Sequence, residues 1–285
     1  MQKSLHDAIH DWHRSVVSSL ASNNPIRLAE YALNLSRIIA YPELDAIDEI
    51  SKIDSIGHLI LKSNKEIINA RPTQIIAAIN DHLYKIENFK GNKDDYYNPS
   101  NSFLNIVLKR KLGIPITLSI IYIRVAHVLK FELHPINFPS HFLVKHVLEG
   151  ENSDIIIDPY NEGRIMDDYS LKQLLDQTYP KLDVPLTRNF IEKSSDARVI
   201  IRMLNNLKAS YFECNDLGNA ELVNEMALDI DNNEQYGIRD RGMISFKRNN
   251  NQDALLQFNH YIDKFPEADD IDIILDIIRK IRRKN

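Results

Sequence analysis

An α+β domain followed by an all-helical tail is the fold class this sequence predicts, on three observations. Apolar residues recur with helical period, broken by turn residues, through residues 3–85. The period then shortens to that of strands between residues 133 and 166. From about residue 195 to residue 285 it becomes helical again, with small residues spaced 34 apart. Helices followed by a short run of strands imply an α+β domain over residues 1–190, with the helical tail at 195–285.

The helical segments of the first third are "SLHDAIHDWHRSVVSSLA", "PIRLAEYALNLSRIIAY", "LDAIDEISKIDSIGHLILKS" and "PTQIIAAINDHLYKI". Pro25 suits a first helical turn, where a missing N–H costs nothing. Residues 87–102, "ENFKGNKDDYYNPSNS", carry Gly91, Pro99 and four asparagines and read as turn chemistry. "FLNIVLKRKL" is a helix expected to stop at Gly113, and "ITLSIIYIRVAHVLKF" restarts it after Pro115. "LHPINF", "HFLVKHV", "DIIID" and "GRIM" are the strands of a small antiparallel sheet.

In the tail, Ala220 and Ala254 stand 34 residues apart, each followed seven residues later by a core-type residue, Ala227 and Tyr261. Gly242 lies 12 before Ala254 and Pro266 lies 12 after it. These spacings resemble the tetratricopeptide repeat, whose paired helices need small residues where they cross. Lys208 and Asn232 replace the glycine and proline in the first copy, so one and a half to two degenerate repeats and a terminal helix are expected.

Hydrophobic residues at 44% and charged residues at 26% are those of an ordinary globular protein, and the net charge of −5 argues against a broad nucleic-acid footprint. "RKIRRKN" at the end reads as the positive end of a final helix. The single cysteine, Cys214, excludes an intramolecular disulfide or a cysteine-rich zinc site. The opening residues lack the apolar core of a signal peptide, and no run of about 18 apolar residues occurs, so a cytoplasmic protein is expected. His6, His10 and His13 share one helical face but have no carboxylate at a recognisable ligand spacing, and no glycine-rich phosphate loop exists. No metal and no cofactor is expected.

The sharpest chemical pair is His141, at the start of one strand, and Asp158, at the end of the next. Adjacent antiparallel strands can bring them within hydrogen-bond reach, where a carboxylate orients an imidazole. The competing role is a histidine satisfied at a strand edge and an aspartate opening the "DPY" turn.

The run from Phe89 to Leu129, with "INFPSHFLVK" and "IIIDPYNEG", resembles the SirB-type family of bacterial proteins, which join a transglutaminase-like domain to a tetratricopeptide-type tail. The resemblance implies a papain-like core of helix and antiparallel sheet. In that superfamily a Cys at a helix start works with a His and an Asp from two following strands, positions that His141 and Asp158 match. The Cys position falls near "PITLS", residues 115–119, where no cysteine stands. The family commonly carries this departure, and without a thiolate the superfamily's usual mechanism lacks a central part.

Thr117 or Ser119 could supply a hydroxyl activated by His141, or could serve as helix cap and small packing residue. Asn92, Tyr96, Tyr97 and Asn101 are candidates for holding a polar or peptide ligand, or for Asx-turns and aromatic packing that pin their loop. Two functions follow as expectations. One is a non-catalytic scaffold that binds a protein or peptide through the inherited cleft and the tail, with no direct contact to nucleic acid or membrane. The other is an amide or ester hydrolase, or an acyl transferase, in which the His141–Asp158 pair serves a hydroxyl or an activated water.

Overall fold

A computed structural model describes residues 4–148 and 154–284. Helix α1 (Leu5–Trp12) begins at Ser4, whose Oγ accepts the Asp7 N–H at 3.1 Å. A short α2 (Ser18–Leu20) and the Asn24-capped turn at Pro25 lead into α3 (Leu28–Ile39). Asp45 caps α4 (Ala46–Ser63), accepting from the Ile47 and Asp48 N–H groups at 2.9 and 3.2 Å. Helix α5 (Pro72–Asn80) has proline at its first position and continues as a π-helical turn over Asp81–Ile86.

Strand β1 (Lys90–Gly91) pairs in parallel with β2 (Leu112–Gly113), and α6 (Leu104–Arg110) lies between them. The helix before Gly113 ends earlier than expected, because Lys111 takes the left-handed conformation at φ 59° and turns the chain into β2. Gly113 then serves a different need: a Cβ there would lie 2.8 Å from Thr117 Oγ1.

Helix α7 (Pro115–Val128) follows, then β3 (His134–Ile136), β4 (Leu143–His146), β5 (Ile155–Asp158) and β6 (Arg164–Met166) in one antiparallel sheet of order β3-β4-β5-β6. Helix α8 (Asp168–Thr178), capped by Asp167, was not among the expected elements. The last helices are α9 (Asp196–Glu213), α10 (Leu217–Ile230), α11 (Gln235–Lys247), α12 (Asn251–Lys264) and α13 (Ile271–Lys284). No helix among the described residues is long and apolar enough to cross a membrane.

The chain forms two compact units, one of residues 18–203 and one of residues 1–17 with 204–285. In the first, α7 is apolar over most of its surface and packs on α3, α4, α5 and β4, with Arg124 and His127 near its end reaching solvent. One sheet face, with Ile136, Leu143, Ile156 and Met166, is covered by Leu171 and Leu175 of α8. Arg124, in the half-exposed last turn but one of α7, is held by Asp54 through two 2.6 Å hydrogen bonds.

The second unit includes the N-terminal helix, which was expected with the first domain. Trp12 is fully buried there and its indole N–H donates to Met226 O at 3.0 Å, an interaction whose 214-residue separation hides it from any local reading. Consecutive helices α10 to α13 pack on one another. Gly242 permits the close approach of α11 to α12, since a Cβ would meet the Phe258 ring at 2.5 Å. Lys208, at the position where a glycine is expected in a first repeat, is 3% exposed and reaches Asp240 at 2.7 Å and Asn224 at 2.9 Å. Arg239 bonds the same Asp240 at 2.7 Å and Asp270 at 2.9 Å, and Tyr261 donates to Asp270 at 2.6 Å.

A buried network of this kind is costly to break at one member and cheap to replace as a pair. Lys208→Met is expected to destabilise the unit by about 3 kcal/mol. Lys208→Met with Asp240→Asn should recover part of that loss, as read by denaturant unfolding of the two variants.

Candidate functional site

The end of β5 and the start of β4 face one another across the sheet, and the site forms there. Asp158, the last residue of β5, is 1% exposed. Its carboxylate accepts from the Tyr160 N–H at 3.1 Å, the Asn161 N–H at 3.3 Å and the Asn161 side-chain amide at 2.7 Å. The turn then closes through Gly163 N–H to Asp158 O at 2.9 Å. Gly163, at φ +70°, is the residue this turn requires: a Cβ would collide with Asn80 Oδ1 at 1.9 Å.

His141 enters by a second turn. Its backbone N–H donates to Phe138 O at 3.1 Å, with Ser140 between them in the left-handed region at φ 52°. The imidazole Nε2 lies 2.8 Å from Asp158 Oδ1. At that separation the imidazole and the carboxylate are in direct polar contact. Nδ1 has no hydrogen-bond partner among the described residues and is not sealed from solvent. Burial pushes the Asp158 carboxyl up, but the adjacent His141 and the Asn161 donors outweigh it and hold the group below its ordinary range.

The start of α7 is closed. Pro115 to Ser119 are all buried. Thr117 Oγ1 accepts the Ile114 N–H at 3.0 Å and donates toward Asn101 O at 3.0 Å or Ile114 O at 3.1 Å, so it is the polar seal of the helix start. Ser119 Oγ is buried without a partner. No hydrogen bond joins either hydroxyl to His141 among the described residues. Cys214 is exposed, in the other unit.

The asparagine loop is internally bonded. Asn92 donates to Asn101 Oδ1 at 3.0 Å, and Asn101 donates to Asp95 O at 2.7 Å and Tyr96 O at 3.1 Å. These amides are spent on holding the loop. The loop is joined to the His–Asp turn by Tyr160, whose hydroxyl donates to Asn92 O at 3.2 Å and whose ring stands edge-on to His141 at 5.9 Å. Gly91 makes room for that ring, since a Cβ would lie 2.4 Å from it. Tyr96 is half-buried and packs edge-on against the exposed Tyr97 at 5.4 Å.

Two residues of this neighbourhood escaped sequence reasoning, Tyr160 and Arg202. The "DPY" turn could have revealed Tyr160; Arg202 sits in a helix 61 positions from His141 and gives no local signal. Among the described residues no group of three or more His, Cys, Asp or Glu side chains is placed to hold a metal. His13 instead pairs with Asp229 at 3.1 Å.

Residues 49–205 match the family model of the transglutaminase-like superfamily. The chain belongs to that superfamily. It is 31% identical over 239 residues to a UPF0162 protein of Xylella fastidiosa, a match covering 82% of this chain and 83% of the relative. It is 27% identical over 262 residues to a UPF0162 protein of Buchnera aphidicola, covering 88% and 96%. It is also 44% identical over 98 residues to mouse F-box only protein 21, covering 32% of this chain and 16% of that protein. No solved structure matches.

The site geometry fixes three expected outcomes. Thr117→Val leaves a buried N–H without its acceptor and should cost about 1–3 kcal/mol, whereas Ser119→Ala removes a hydroxyl with no partner and should be neutral or stabilising. Denaturant unfolding distinguishes them. The lowered Asp158 pKa means that its stabilisation is present above the unfolded carboxyl pKa of about 3.9 and is lost as pH falls through the lower folded value. The stability gap between wild type and Asp158→Asn should therefore be widest above about pH 5 and narrow in acid.

Proposed function

We propose that this chain is a non-catalytic, SirB-type member of the transglutaminase-like superfamily that acts as a protein-binding or regulatory scaffold. The observation that carries the reading is the sealed start of α7. The superfamily's thiol position has no cysteine, Thr117 is committed to closing the helix, and Ser119 is buried away from any partner. A His–Asp pair without a nucleophile in hydrogen-bond contact cannot run acyl transfer through an enzyme-bound intermediate. What remains is a shaped polar face: His141, Tyr160 and Tyr96 beside a loop stiffened by its own amides.

The helices of residues 204–285 support the second half of the reading. Gly242 lies against the Phe258 ring and Ala254 is buried, which supports reading these helices as tetratricopeptide-like, and arrays of that kind present extended surfaces to protein partners. The match of a short segment to a much longer F-box only protein is consistent with a domain used as a module inside larger chains. The bacterial relatives support a bacterial origin.

One observation favours a different reading. With Asp158 on Nε2, the unbonded Nδ1 of His141 could hold a water for direct attack on an amide or ester. A panel of ester, amide and glutamine-acyl substrates, assayed with wild type and His141→Ala, separates the two. Equal background rates are expected; saturable turnover that vanishes with His141→Ala and has a pH limb in the histidine range would establish the hydrolase and end the scaffold reading.

A further inference from the structure

Several partly buried guanidinium groups in this protein pair with carboxylates: Arg27 with Glu30 at 3.1 Å, Arg124 with Asp54 at 2.6 Å and Arg239 with Asp240 at 2.7 Å. Arg202 differs from these. It is half-buried, and no carboxylate pairs with it among the described residues. Its Nη1 donates to Asn137 Oδ1 and to Phe138 O, the latter at 2.7 Å, and the guanidinium lies 5.7 Å from the Phe142 ring. The Nε and Nη2 protons have no acceptor among the described residues, although an arginine presents five donors in a fixed fork.

The position is as telling as the missing charge. Phe138 O accepts from both Arg202 and the backbone N–H of His141, so guanidinium and imidazole are fixed by one carbonyl. Tyr160 faces the imidazole at 5.9 Å. Burial lowers the Arg202 pKa to about 10, against a small opposing effect of the nearby Tyr96 phenol. The Tyr96 hydroxyl itself has no hydrogen-bond partner among the described residues.

We propose that Arg202, with the Tyr96 hydroxyl, forms a subsite beside His141 that receives the carboxylate of a peptide ligand. The proposal rests on the binding reading of this face and names the chemistry it selects. A planar carboxylate matches the free Nε and Nη2 edge of the guanidinium, and one exchangeable negative charge balances one unpaired positive charge. A phosphate dianion would carry more negative charge than the single guanidinium of Arg202 balances.

The test is titration of the full-length, 15N-labelled protein with acetyl-Ala-Ala, acetyl-Ala-Ala-amide, acetyl-Asp-amide and inorganic phosphate, reading the Arg202 Nε–H resonance. The expected result is a saturable shift with one or both carboxylates, at least about tenfold weaker with the C-terminal amide. The relative strength of the two acids tells whether a peptide terminus or an acidic side chain is preferred. Arg202→Gln should abolish the shift of neighbouring resonances. Tyr96→Phe, which removes a hydroxyl with no internal partner, should weaken it several-fold in a folded protein. No saturable shift, equal response to acid and amide, or preference for phosphate would each overturn the subsite. Consumption of acetyl-Ala-Ala in the same tube would instead sink the non-catalytic reading while leaving the carboxylate subsite standing.

Discussion

The buried carboxylate of Asp158 is the constraint on which the site depends. A charge at 1% exposure is tolerated only when its lone pairs are met, and here they are met by the next turn of its own chain and by His141. Those donors fix the turn from Pro159 to Gly163. That turn in turn presents Pro159 O to the Tyr84 hydroxyl at 2.7 Å and Gly163 O to the Asn80 amide at 2.9 Å. Tyr122 of α7 completes the chain by donating to Asn80 Oδ1 at 2.8 Å. One carboxylate therefore ties β5 to α5, its π-helical extension and α7.

The same economy explains why an intact His–Asp pair need not mean an active enzyme. Every hydrogen bond that orients Asp158 also holds the fold, so the aspartate has a structural role that requires no catalysis. At the other side of the site, Thr117 and Asn101 close the start of α7 against the asparagine loop, filling with internal bonds the region where a thiolate would need access. The fold holds His141 and Asp158 together on one side, and Thr117 is committed to the helix start on the other.

Much of the fold was legible because period and turn chemistry act locally. The four strands, the restart of α7 at Pro115 and the buried His–Asp juxtaposition follow from apolar alternation and from the adjacency of consecutive antiparallel strands. Helix α8 was readable but missed: Asp167 caps it by accepting the Ser170 N–H at 2.8 Å, a sequence-visible signal. Other features were out of reach in principle. The two-residue pairing of β1 with β2, the Trp12–Met226 bond and the unpaired Arg202 are set by packing between distant segments. Lys208, read as a blemish in a repeat, is the centre of a buried ion network whose partner lies 32 residues away.

The central claim is that no side chain at the start of α7 can act as a nucleophile for His141. It is tested most directly by treating the native protein with a reactive fluorophosphonate and mapping adducts by mass spectrometry, with His141→Ala in parallel. No adduct on Thr117 or Ser119 is the expected result. Stoichiometric labelling of either residue that disappears in His141→Ala would contradict it and make the protein an enzyme.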